Sequence, residues 1–259
     1  MIKTWFALLL LPASVLAHGA EWKESAPIAA LFKAQGVTGT FVVHDVAADI
    51  YTVHDRQRAN TRFIPASTFK IPNSLIALSN GAVASVDDVV PLGDAPVERA
   101  EWAGEMGMRQ GIKVSNVPLY QVLARRVGMD RMRTGLVKMK YGNMDPGTRV
   151  DRFWLDGPLT ISAVEQTAFL TKLAQGQLPF SNAHMEAVRE ICRQEGEAEL
   201  YAKTGWGRRP GEADLGWWVG WVKKDGKLYA FALNIDIPDG APDRRVSLAK
   251  AALKELRLL

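Results

Sequence analysis

The chain has 259 residues, 47% of them hydrophobic and 23% charged, with a mean hydropathy of −0.06. These values exclude long disorder, collagen and coiled coil, and a chain of this size buries roughly three quarters of its unfolded surface without a disulfide or metal staple. The formal charge of +4 comes from interspersed residues of both signs, a mild cationic character that is weak grounds for nucleic-acid binding.

Met1-Ile2-Lys3 precedes an apolar run from Thr4 to Ala17, with Leu8 to Leu11 at its centre and Pro12 and small residues after it. One basic residue, a short hydrophobic core and a small-residue end predict a secretory signal peptide, cleaved after Ala17, with Ala20 the second choice. The run is shorter than the ~20 apolar residues a membrane anchor needs. No later segment reaches that length, so the expectation is an exported, periplasmic protein with no membrane attachment after cleavage. Its single cysteine, Cys192, excludes an internal disulfide and lies in a helical stretch where a buried structural thiol is expected.

Glu24 to Ala34 carries apolar residues at helical spacing and stops at Gly36. Val37 to Val46 then turns β-branched, and Ala47-Ala48-Asp49 leads into Ile50 to Val53, which predicts a hairpin. From Ser67 to Cys192 the periodicities are helical: 74–78, 117–127, 130–139, 162–173 and 183–192, punctuated by Gly and Pro. Strands return at 199–203, 215–222 and 227–235, and an amphipathic helix over 245–256 closes the chain. Strands at both ends predict an α+β fold: one antiparallel sheet flanked by terminal helices. The sheet lobe spans about 18–66 and 195–259, and a helical lobe of about 67–194 is inserted, all within one domain over 18–259. A cleft between sheet and lobe is the natural site.

Metal chemistry has no visible ligand set, because His18, His44, His54 and His184 form no HExxH, HxH or paired-cysteine spacing. His44-Asp45 and His54-Asp55 suggest a serine triad, but no G-x-S-x-G elbow accompanies them and strand-end polar residues explain both. A lysine-based site is better supported. Ala66-Ser67-Thr68-Phe69-Lys70 opens a helix, placing Ser67 and Lys70 three apart on one face with β-carbons roughly 5–6 Å apart. Serine needs a base to become a nucleophile, and burial among Phe69, Ile71, Leu75 and Ile76 would suppress the charge on Lys70 so that it can serve. A helix N-terminus also favours negative charge developing at Ser67.

S-x-x-K alone is expected about once by chance in such a chain. Ser115-Asn116-Val117 follows 48 positions after Ser67, at another helix start, then Tyr141-Gly142-Asn143, and Lys203-Thr204-Gly205 on a predicted strand. K-T-G appears by chance in only about one such chain in twenty. This order is the signature of penicillin-recognising serine enzymes. The glycine would let a ligand lie against the strand edge.

On these motifs the chain resembles the class D (oxacillinase-type) serine β-lactamases along nearly its whole length. Phe63 to Asn73 is similar to the family's nucleophile motif, Ser115-Asn116-Val117 to its S-x-V, Tyr141-Gly142-Asn143 to its Y-G-N, Phe153-Trp154-Leu155 to its tryptophan segment, and Lys203-Thr204-Gly205-Trp206 to its K-T-G-aromatic strand. The resemblance implies that Ser67 attacks the β-lactam carbonyl and that Lys70, carboxylated by CO2, acts as general base, with no other cofactor and no metal. It implies that Trp154 donates to the carbamate, and that Ser115, assisted by Lys203, relays the proton to the leaving nitrogen. The backbone N–H groups of Ser67 and Trp206 would form the oxyanion hole. Lys203, Thr204 and Arg245 would hold the substrate carboxylate, with Gly205 and Trp206 beside it. Arg245 is preferred to the adjacent Arg244 because the pattern from Val246 to Leu253 follows it. Val117 and Leu155 would line the carbamate pocket, or are plain core residues, as Trp154 is on its own in a chain with eight tryptophans. Arg208 and Arg209 are expected near the substrate.

The implied partners are small-molecule β-lactams, and the implied outcome is β-lactam resistance, by a monomer or homodimer. The same motifs also serve proteins that are acylated and stall, namely transpeptidases and β-lactam sensors. Val117 favours hydrolysis, since a transpeptidase would carry S-x-N, and a sensor would be tethered by membrane helices.

Overall fold

In the computed structural model, which describes residues 20–93, 97–196, 199–237, 241 and 243–259, the chain enters through an edge strand, β1 (Glu21–Glu24), and helix α1 (Ala26–Ala34). The expected signal peptide lies outside the described residues. The first helix starts two residues later than its periodicity suggests. Ser25 caps it, accepting from the Ile28 N–H at 3.4 Å, while Glu24 is drawn into pairing with Val53. The expected hairpin forms as β2 (Gly39–Asp45) and β3 (Ile50–His54), followed by a one-turn helix α2 (Arg56–Asn60) that the sequence does not announce.

A 3-10 turn, Ala66–Phe69, leads into α3 (Lys70–Ser79), and α4 (Met108–Lys113), α5 (Val117–Val127), α6 (Met129–Met139), α7 (Ala163–Gln175) and α8 (Asn182–Ile191) follow. The helix boundaries have local causes. Asn116 caps α5 by accepting from the Leu119 N–H at 2.9 Å, and Ser162 and Glu165 close a reciprocal capping box on α7. Strands β4 (Leu200–Gly207), β5 (Asp214–Lys224) and β6 (Lys227–Ile237) and the final helix α9 (Arg244–Glu255) complete the chain.

The six strands make one sheet in the order β1-β3-β2-β6-β5-β4. It is not wholly antiparallel as expected, because β1 pairs with β3 in parallel, Glu21 opposite Ile50. The connection that a parallel pair requires runs through α1 and then β2, which is antiparallel to β3 and returns the chain to its starting end.

One face of the sheet is covered by the terminal helices: Ile28 and Phe32 of α1 and Leu248, Ala249, Ala252 and Leu253 of α9 share a core with Phe231, Leu233 and Trp218. The opposite face packs against α7 and the helical lobe, where Val42, Trp217, Trp221 and Ala232 join Phe69, Leu75, Leu123, Trp154 and Leu170. Strand alternation thus divides the three tryptophans of β5 between both cores. Among the described residues no helix is long and apolar enough to cross a membrane. Cys192 is buried as expected, and desolvation pushes its thiol up to about 12.

Candidate active site

The nucleophile segment is held between β4, the last strand of the sheet, and the loop carrying Trp154. Phe63 bridges to Ile161, and the Ala66 N–H donates to the Trp154 carbonyl at 3.0 Å. Ala66 itself has a φ of 48°, a left-handed conformation that costs a non-glycine residue about 1–3 kcal/mol and turns the chain sharply before Ser67. Ser67 does not open α3. It lies in the preceding 3-10 turn, and the α-helix begins only at Lys70. Pro72 explains the break, because it has no N–H to donate to the Thr68 carbonyl in a continuous α-helix.

The spacing nevertheless delivers the expected pair: Lys70 Nζ donates to Ser67 Oγ at 2.9 Å. Ser67 is half-buried, whereas Lys70 is fully buried and lies 5.3 Å from the centre of the Tyr120 ring. Burial first, then the charges of Lys203 and Arg99, hold its amine well below the usual lysine range. A lysine amine depressed in this way gives up its proton more readily, and once deprotonated it is a base and a nucleophile.

Trp154 belongs to the same pocket wall. Its ring stacks on Phe69, 5.3 Å between centres, with Phe153 edge-on. Its indole Nε1 is buried without a protein acceptor, an orphan donor. The Y-G-N motif pins this wall. Asn143 accepts from the Thr160 N–H (3.0 Å) and donates to the Pro158 carbonyl (2.9 Å), and a side chain at Gly142, with φ of 54°, would collide with the Thr160 carbonyl. A buried relay of Pro65 carbonyl, Thr68 hydroxyl and Gln166 amide (2.7 and 2.9 Å) braces the turn from behind.

The second serine-lysine pair comes from distant segments. Ser115, also with positive φ (56°), projects from the turn between α4 and α5, and Lys203 Nζ donates to its hydroxyl at 3.0 Å. Lys203 also meets the Thr204 carbonyl (3.0 Å) and hydroxyl (3.2 Å). Burial, then the charge of Arg245, brings its ammonium down to about 7. Arg245, in the first turn of α9, is therefore within electrostatic reach of Lys203.

Thr204 and Trp206 are half-buried on β4, and Trp206 Nε1 donates to Asp214 at 2.8 Å. Gly205 has a packing reason besides the ligand clearance expected of it. A β-carbon there would meet Pro65 O, Thr68 Cγ2 and Trp217 Cβ, each at 3.1 Å, so its bareness lets the nucleophile turn seat against β4. Val117 and Leu155 are half-buried, and Leu155 packs against the core that holds Phe69 and Trp154.

Arg209 is committed to Glu212 (2.9 Å) and Asp236 (2.6 Å), while Arg208 stays exposed beside Leu155 and Asp156. His44 pairs with Asp49 at 3.0 Å, not Asp45, and His54 packs on Phe32, so neither joins Ser67 across the sheet. Sequence reasoning missed Arg99, Trp102, Tyr120 and Gln166. Tyr120 and Gln166 read as ordinary helix positions, and Arg99 and Trp102 stand in an aperiodic stretch.

Comparison with known proteins agrees with this geometry. Residues 38–256 match the penicillin binding protein transpeptidase domain. Beta-lactamase OXA-5 of Pseudomonas aeruginosa is 38% identical over 230 residues, 86% of each chain, and beta-lactamase OXA-48 of Klebsiella pneumoniae is 37% identical over 92% of this chain and 91% of its own. The crystal structure of FUS-1 (OXA-85), a class D beta-lactamase from Fusobacterium nucleatum subsp. polymorphum, superposes with a TM-score of 0.88 at 39% identity, covering 92% of this chain and all of that one. The fold, the two serine-lysine pairs and these relatives together establish that the chain belongs to the class D β-lactamases.

Proposed function

We propose that this protein hydrolyses the amide bond of penicillin-type β-lactams through an acyl-enzyme on Ser67 and so confers resistance to them. The observation that carries the proposal is the 2.9 Å contact between Ser67 Oγ and a fully buried Lys70 amine. The substrate carbonyl sits between the backbone N–H groups of Ser67 and Trp206, where an oxyanion hole stabilises charge that develops only in the transition state. The edge of β4 beyond Ala202, where the bridge to Arg193 ends, receives the substrate, and Thr204 and Arg245 hold its carboxylate. Ser115 passes a proton to the departing ring nitrogen, and Lys203, with its ammonium near 7, resupplies it.

The pocket around Lys70 suits a carbamate. The neutral amine can take up CO2 with loss of one proton, and the buried Trp154 N–H lacks an acceptor that a carbamate oxygen would provide. Bound there, the carbamate supplies a general base for both acylation and deacylation. Val117 and Leu155, both half-buried, control access of water to it. Residues 1–17 support export to the periplasm and removal of that segment.

Intact mass after mixing with excess benzylpenicillin, with hydrolysed product counted per enzyme, tests the proposal. Many products with a transient adduct support it. A lasting one-to-one adduct identifies a sensor or transpeptidase, and neither adduct nor product removes Ser67 as nucleophile.

A further inference from the structure

Arg99 stands in extended backbone just before the 3-10 turn Ala100–Trp102. Its guanidinium carbon lies 5.1 Å from the centre of the Trp102 ring and 5.9 Å from that of Trp206, so a residue near the helical lobe and a residue of β4 share one cation. Both rings are fixed by their own indole hydrogen bonds, Trp102 to the Val114 carbonyl (3.0 Å) and Trp206 to Asp214 (2.8 Å). The seat is therefore rigid. The Arg99 side chain is 45% exposed, and its ion pair with Glu101 spans 3.7 Å between two half-exposed groups, so that pair is weak and readily exchanged. A guanidinium stacked on aromatic faces presents its N–H edge sideways, as a fork that matches a carboxylate.

The charge of Arg99 is surplus to a monoanionic substrate. A single carboxylate already meets the Thr204 hydroxyl and the Arg245 fork in the function proposed above, with Lys203 adjoining. The surplus has a cost. Burial foremost, and then the like charge of Arg99, lower Arg245 against the opposing effect of Asp243. A cleft whose cations repel one another gains most from a ligand that brings a second negative group.

We propose that Arg99, seated on Trp102 and Trp206, is a specificity residue that recognises a second anionic group on the β-lactam, so that the enzyme favours dianionic substrates over their monoanionic counterparts. The inference rests on the β-lactamase reading of the Ser67 site. Benzylpenicillin and α-carboxybenzylpenicillin differ by one side-chain carboxylate, and kcat/KM for both is measured in saturating bicarbonate for the wild type, Arg99→Gln and Arg99→Lys.

Arg99→Gln is expected to lower kcat/KM for the α-carboxy substrate about tenfold more than for benzylpenicillin, chiefly through KM, as loss of one charge-assisted contact would. Arg99→Lys restores part of that preference, and added salt narrows the wild-type preference. Equal changes for the two substrates, or no change, overturn the proposal. A wild type that turns over neither substrate overturns the underlying β-lactamase reading instead.

Discussion

Replacing Lys203 with methionine separates the stability of the fold from the needs of its chemistry. Lys203 is 5% exposed, and burial, then Arg245, bring its ammonium from 10.5 to about 7. In the unfolded chain the group keeps its ordinary value. Between those two values the unfolded chain therefore binds more protons than the folded one, and the stability of the wild type rises with pH by about 1.4 kcal/mol per pH unit. Below about pH 7 both states are protonated, and the full cost of the buried charge, about 5 kcal/mol, is present.

Methionine removes that cost with little change in volume, and forfeits the contacts to the Ser115 hydroxyl and to the Thr204 carbonyl and hydroxyl. At about 1 kcal/mol each, these three contacts subtract roughly 3 kcal/mol, independently of pH. Lys203→Met should therefore be about 2 kcal/mol more stable than wild type near pH 6, equal to it near about pH 8, and less stable above. Urea unfolding of both proteins at several pH values, with matched m-values, reads the difference directly. A stability difference that stays flat across this range would refute the depressed ammonium. The same variant should lose most β-lactam turnover, because Ser115 loses its proton donor.

Further expectations concern the nucleophile and its wall. Lys70→Ala should lower kcat/KM for benzylpenicillin by at least about a thousandfold, since Ser67 loses the base it contacts, and retained wild-type turnover would exclude the assignment. Lowering pH in bicarbonate-poor buffer protonates the Lys70 amine and should inactivate the enzyme reversibly, with recovery on adding bicarbonate. Trp154→Phe should raise the bicarbonate concentration needed for half-maximal activity, because it removes the buried donor, and an unchanged requirement would argue against a carbamate. Gly205→Ala should destabilise the fold by about 1–3 kcal/mol through overpacking against Pro65, Thr68 and Trp217, and impair acylation by displacing the Ser67 turn, as thermal unfolding and burst kinetics would show.

The chemistry was legible in the sequence where it depends on short-range geometry. Three positions separate Ser67 from Lys70, and any helical turn brings such residues face to face, so the pair follows even though the turn is 3-10 rather than α. The caps of α5 and α7 and the β2–β3 hairpin are likewise written in neighbouring residues. Pairings between distant segments needed the tertiary structure. Ser115 meets Lys203 across 88 positions, and the parallel docking of β1 on β3 depends on edge hydrogen bonds that no local pattern encodes. Gly205 is bare because Pro65 and Thr68 press on it, a clearance set by packing and not by strand propensity. Arg99 gains its place only when Trp102 and Trp206 converge from separate parts of the chain, and an aperiodic loop carries no signal of which rings will flank it.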